Sequence, residues 1–215
     1  MHGQFQLPII FDLGAVFIFG ITGALAAIRR GYDLVGLFAL TFVTALGGAL
    51  IRDGIFIQQG PPAIMADSQY LLAVLLAGFV GLMFRVQVER FTKLIAWLDA
   101  LGLGVYGVVW VQKSLQAHLS VEAAILVGTI NAVGGGLLRD VLVREEPLVF
   151  QAGQFYLLAA LAGCALFPLL TLETALSATQ AALVSIAVTF VFRILAIQFN
   201  WRTSALNKSS NLDPR

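Results

Sequence analysis

The sequence predicts an all-α integral membrane protein of seven transmembrane helices, built as two inverted three-helix repeats with a seventh helix appended. Three observations predict it: a composition too apolar for a soluble chain, apolar runs of membrane-spanning length, and self-similarity between the two halves. Of the 215 residues, 59% are hydrophobic and only 12% are charged, against about 25% charged in soluble domains. The mean hydropathy of +0.90 agrees.

A hydrocarbon core of about 30 Å takes about 20 apolar helical residues. Seven runs qualify, at approximately 9–28, 34–51, 69–88, 94–112, 120–138, 154–172 and 176–198. They are apolar on every face, unlike the alternating strands of a membrane β-barrel. The first run ends at RRGYD and the third at VERFTK, both charged. The second ends at GPPAIMADS and the fifth at REEPLVFQ, where Pro61, Pro62 and Pro147 interrupt helical geometry. After the seventh, NWRTSALNKSSNLDPR is a polar tail. The opening MHGQFQLPII lacks the basic segment and cleavage site of a signal peptide, so the first run is expected to persist in the mature protein.

Orientation follows from Lys and Arg, which gather on cytoplasmic loops. With seven spans, all 13 basic residues except Arg52 and Lys113 fall on one side. The N-terminus is therefore expected outside and the C-terminus in the cytoplasm. The spread of those residues along the chain, with a net charge of +1, leaves no basic patch for nucleic acid.

The repeat appears when the chain is shifted by 87 residues: Asp12 falls on Asp99, Gly20 on Gly107, Thr44 on Asn131, Gly47 and Gly48 on Gly134 and Gly135, Arg52 on Arg139, and Asp53 on Asp140. Beyond a two-residue deletion, Pro62, Gln69, Tyr70 and Gly78 meet Pro147, Gln154, Phe155 and Gly163. Three helices per copy is an odd number, so the second copy enters the membrane from the other side. The expected units are 1–92, 93–173, a seventh helix at 174–200 and a tail at 201–215.

The repeated motifs GGALIRD (47–53) and GGGLLRD (134–140) hold the chemistry. Thr44, Gly48 and Arg52 share one helical stripe, as do Asn131, Gly135 and Arg139. Gly47, Gly48, Gly134, Gly135 and Gly136 have two readings. They either allow helices to pack closely, or kink and unwind them so that carbonyls face a wet path. An Arg or Asp at membrane depth costs about 2.5 to 3.5 kcal/mol, so Arg52, Asp53, Arg139 and Asp140 must pair, locally or between repeats, or face water. Asp12 and Asp99 stand where they either complement a helix dipole or line a vestibule. Trp97, Trp110, Trp201, Tyr32, Tyr70 and Tyr156 fit an interfacial belt, with the lining of an entrance as a second reading for Tyr70 and its repeat partner Phe155. Cys164, His2 and His118 share no metal-ligand spacing, and no nucleophile-base pair or nucleotide fingerprint is present. No metal, cofactor or catalytic residue is expected, and the chain is not read as an enzyme.

The stretches TGALAAIRRGYD (22–33), GGALIRD, LDALGLGVYG (98–107), GGGLLRD and EPLVFQAGQFY (146–156) together resemble the prokaryotic trimeric intracellular cation channels, the TRIC family, and close bacterial relatives described as glycine transporters. The resemblance covers Asp12 to about Asn200. It implies a homotrimer of seven-helix protomers, each with its own potassium-permeable pore beside glycine-bent second and fifth helices. By position it nominates Gly47, Gly48, Gly134, Gly135 and Gly136, with Arg52, Asp53, Arg139 and Asp140. Ala49 departs from the triple glycine of the second motif. The expected function is passive conduction of monovalent cations, potassium above sodium, with membrane lipid as a further ligand. Two alternatives stand beside it: a secondary transporter of a small zwitterion such as glycine, and a structural or lipid-sensing membrane protein.

Overall fold

A computed structural model of the chain describes residues 6–57, 67–86, 92–151 and 155–201. Among these residues the structure is entirely helical, with seven α-helices: α1 (Ile9–Arg29), α2 (Leu34–Ile51), α3 (Ser68–Met83), α4 (Thr92–Gln116), α5 (Val121–Leu142), α6 (Tyr156–Glu173) and α7 (Ala178–Gln198). A π-helical segment, Arg52–Ile57, continues α2. Six helical segments have the length and hydropathy to cross a bilayer; the chain is a multi-pass membrane protein.

Local sequence sets the helix ends. Asp67, Ser120 and Ser177 each accept a backbone N–H of the first turn of α3, α5 and α7, which satisfies donors that no carbonyl can reach. Gln180 completes a capping box with Ser177. At the other end of α1, Gly31 has φ of 71° and Tyr32 donates back to the Ala27 carbonyl. Glycine adopts this left-handed turn without a Cβ penalty.

Three boundaries differ from expectation. The third span stops at Met83, not 88, and its 16 residues reach about 24 Å at 1.5 Å per residue. The Phe84 N–H bonds to the Gly81 carbonyl and ends the helix there. In contrast, α4 runs to Gln116 and α5 to Leu142, so Lys113, Arg139 and Asp140 lie inside helices and not in loops. Lys113 and Arg139 are neutralised by carboxylates of packing helices and Asp140 by Arg139 beside it, and this lets a charged residue stay in the helix. Pro61, Pro62 and the third connection at 87–91 lie outside the described residues, as does the tail beyond 201.

The packing has a simple plan. α1 packs on α2 and α3, α4 packs on α5 and α6, and within each trio the outer two helices also touch. The trios meet through α1 against α4 and α2 against α5, and α7 covers α4 and α6. α4 is thus central, and its Leu103, Val108 and Val111 are fully buried. The outer faces of α3, α6 and α7 expose Leu71, Leu75, Phe79, Leu158, Leu161, Leu183 and Val188, side chains that belong in lipid.

Candidate functional site

Polar groups gather at both ends of the α1–α4 seam. At the end that carries the Arg29–Asp33 and Val143–Gln151 connections, called here the basic face, Arg139 is 5% exposed and Asp99 3%. Arg139 donates from NH1 to Asp99 Oδ1 at 2.9 Å and to Thr22 Oγ1 at 3.0 Å. Its Nε and NH2 both reach Asp140 Oδ1 at 2.9 Å. Asp140 Oδ2 accepts the Leu148 N–H at 3.3 Å, which ties the loop after α5 to the cluster. Tyr156, the first residue of α6, closes the group with the Arg193 guanidinium 5.0 Å over its ring. Two carboxylates around one guanidinium keep a buried charge compensated.

A cleft of about 190 Å³ opens onto this cluster from the basic face. Among the described residues its walls hold four carboxylates, Asp99, Asp140, Glu145 and Glu146, against two cations, Arg29 and Arg139. The formal balance is negative, and a cleft of one sign concentrates ions of the other. Arg30 bridges Glu145 at 2.7 Å across the rim.

At the opposite face, Asp12 of α1 accepts from both the Tyr70 hydroxyl and the Lys113 ammonium. Lys113 lies 4.8 Å over the Trp110 ring and 5.8 Å over the Tyr70 ring, within cation–π range. Asp12 Oδ1 is buried with no partner among the described residues. A cleft of about 340 Å³, lined also by Gln6, Gln112 and Gln116, opens onto it. Asp12 stands in the first turn of α1, where its charge complements the helix dipole without a side-chain cap, and Asp99 stands two turns into α4. Both also line a cleft. Trp110, Tyr70 and Tyr156 are buried in the protein, with Lys113 over the Trp110 and Tyr70 rings and Arg193 over the Tyr156 ring.

The glycine motifs lie where α2 crosses α5. A Cβ on Gly48 would stand 3.0 Å from the Asn131 carbonyl oxygen, and one on Gly135 would strike the Thr44 carbonyl. These contacts are reciprocal under the offset that pairs Thr44 with Asn131 and Gly48 with Gly135. Gly47 faces Leu138, Gly134 faces the Gly48 Cα, and Gly136 faces the Tyr156 hydroxyl. α5 remains α-helical through all three of its glycines, so the unwinding expected at 134–136 is absent. The physical reason is the close approach: the space a kink would use is taken by the other helix's backbone. In the first repeat, the helix changes to π geometry only after the glycines, at Arg52. Thr44 Oγ1 and Asn131 Oδ1, buried at this crossing, have no hydrogen-bond partner among the described residues.

Of the charged motif residues, Arg139 pairs locally with Asp140 and across helices with Asp99, all in the second repeat. Asp53 is half-buried in the π-helical segment, and the Arg52 side chain lies outside what is described. Sequence reasoning missed three participants: Lys113, Tyr70 in its role on Asp12, and Tyr156. It matched Tyr70 to Phe155, yet Phe155 has φ of 47° and packs on Phe192 and Trp201, while Tyr156 takes the buried place beside Asp99. One residue of slip in the deletion would have found it.

These features define a class, the multi-pass helical membrane proteins whose core opens by a polar cleft at each end. A family model described as "glycine transporter" matches residues 9–86 and again 96–172. A UPF0126 membrane protein of Deinococcus radiodurans is 33% identical over 71% of this chain and 71% of its own length. The UPF0126 inner membrane protein YadS of Escherichia coli K12 is 29% identical over 92% of this chain and 96% of its own. Among solved structures, the TRIC trimeric intracellular cation channel orthologue from Rhodobacter sphaeroides superposes with a TM-score of 0.83 at 31% identity, covering 89% of this chain and 97% of that one. A second, from work on conductance through TRIC cation channels, gives 0.81 at 29% identity, covering 96% and 100%. The chain belongs to the family of the bacterial TRIC channels.

Proposed function

We propose that the protein is a passive cation channel, permeable to potassium above sodium, with one path in each protomer of a homotrimer. The observation that carries this reading is the pair of clefts on opposite faces, each ending on a buried carboxylate, Asp99 and Asp12, of the two helices at the centre of the fold. The net acidic walls of the basic-face cleft favour cations over anions. The likeness to channels of the TRIC family supports the same conclusion.

In this reading the two trios form inverted repeats, 1–92 and 93–173, followed by the seventh helix and tail. The basic face lies in the cytoplasm and the N-terminus outside, in the bacterial inner membrane. Asp99, Arg139 and Asp140 set the field at one mouth and Asp12 at the other, with Arg52 and Asp53 as counterparts of Arg139 and Asp140 on the outer side. Thr44 and Asn131 offer unpaired oxygens beside the glycines, where an ion sheds part of its hydration shell. Membrane lipid surrounds the trimer and no cofactor takes part.

The glycine transporter reading has one observation in its favour, the guanidinium-carboxylate cluster beside a small cleft, which could hold a zwitterion. Against it, Arg139 already satisfies two carboxylates, leaving it little capacity for a third. Purified protein in liposomes separates the two. The channel account expects potassium efflux that scales with the gradient and no retained glycine; saturable glycine uptake with counterflow, and no potassium flux, would replace it.

A further inference from the structure

Between the two clefts stand Phe19 of α1 and Tyr106 of α4. Phe19 is 0% exposed and Tyr106 3%, with ring centroids 4.9 Å apart. On α1, Asp12, Val16 and Phe19 fall at i, i+4 and i+7 and share one stripe; on α4, Asp99, Leu103 and Tyr106 do the same. Each aromatic residue therefore shares a helix face with one of the two carboxylates, two turns further into its helix.

They are also counterparts in the repeat, since the offset that pairs Asp12 with Asp99 pairs Phe19 with Tyr106. Counterparts related by a two-fold rotation touch each other only where the rotation axis passes between them. Two counterpart pairs touch here: Phe19 with Tyr106, and Gly48 with Gly135, where a Cβ on the first would lie 3.5 Å from the second's nitrogen. In an inverted repeat that axis lies in the membrane plane, near the midplane. The rings also rest on the glycine crossing. A Cβ on Gly135 would stand 3.3 Å from Phe19 Cδ1, and the Tyr106 hydroxyl donates to the Ala45 carbonyl of α2.

We propose that Phe19 and Tyr106 form the central gate of the permeation path, closed in this structure and held closed by the hydrogen bond from Tyr106 to Ala45. The inference rests on the channel reading. An apolar constriction excludes ions by excluding their water. Movement of α2 along α5 at the glycine crossing withdraws the Ala45 carbonyl, frees the Tyr106 ring and lets the seam hydrate. Phe19 has no hydroxyl to tie it, so the second repeat supplies the latch and the first supplies the plug.

The test uses the full chain in potassium-loaded liposomes, with single-channel recording of the same preparations. Phe19→Ala is expected to raise potassium flux about tenfold, as lowering a barrier by about 1.4 kcal/mol does, with a smaller rise for Phe19→Leu. Tyr106→Phe is expected to lengthen openings at unchanged unitary conductance. Cys164 is the sole cysteine and is buried, so a cationic thiosulfonate should block flux through Phe19→Cys and not through the parent. Gel filtration and thermal melting establish which variants are folded. Folded Phe19→Ala and Phe19→Leu proteins with parental flux, in a preparation where Asp99→Asn lowers it, would overturn the gate while leaving the channel. Silence of the parent and every variant would overturn the channel reading, and the gate with it.

Discussion

Asp99 and Arg139 decide most at the scale of single residues. Asp99→Asn keeps the shape of the side chain but leaves a guanidinium that is 5% exposed with one charged partner. Breaking a buried pair from one side costs about 3 to 5 kcal/mol, so a clear fall in the midpoint of unfolding in detergent is expected, together with weaker selection of cations over anions. Arg30→Ala is the contrast. Its bridge to Glu145 is 39% and 54% exposed, and such pairs are worth about 0 to 1 kcal/mol, so its melting curve should overlay the parent's. An equal loss in the two variants would mean that the buried cluster is not what holds this end together. The sequence made Arg139 and Asp140 legible, because two charges in an apolar run need an explanation. It did not make Asp99 legible as the partner of Arg139, because that contact joins residues 40 positions apart and periodicity carries no information on which helix faces which.

The helix crossing is the next scale up. Gly135 and Gly134 are neighbours in sequence and opposites in environment: a Cβ on the first meets the Thr44 carbonyl, while one on the second meets only the Gly48 Cα at 3.4 Å. Gly135→Ala must push α2 and α5 apart, with a cost of about 1 to 3 kcal/mol and a marked loss of flux. Gly134→Ala gains helix propensity of about 1 kcal/mol and should be neutral or stabilising in thermal melting. Similar behaviour of both would contradict the close crossing as the reason for the glycines. The two readings of these clusters, packing or kinking, could not be separated from the sequence, since both require small residues. In α5 the backbone of a second helix lies at van der Waals distance, which gives these small residues a packing role. Helix ends were misplaced for a related reason. Lys113, Arg139 and Asp140 read as the charged limits of spans, and only the carboxylates that Lys113 and Arg139 meet on other helices reveal that the helices pass through them.

At the scale of the whole molecule, the membrane class and the seven helices were legible without any structure, and so was the offset that aligns the two halves. It paired Asp12 with Asp99 and Gly48 with Gly135, and the same offset pairs Phe19 with Tyr106, although nothing in composition marked those aromatic residues as special. What the offset could not supply was asymmetry. Lys113 serves Asp12 while Arg139 serves Asp99, and no repeat relation connects the two cations. The proposed orientation has its own check in intact cells: an impermeant thiol reagent should label Gln116→Cys, and should label Tyr32→Cys only after the membrane is permeabilised. The reverse pattern would place the basic face outside. Whether cations cross the protein passively is read from current through the purified protein in a planar bilayer, first under a potassium chloride gradient and then with sodium replacing potassium on one side. A passive cation channel gives discrete openings that reverse near the potassium equilibrium potential and shift when sodium is introduced. A bilayer that stays silent at all voltages, or a current that reverses at the chloride potential, would contradict it.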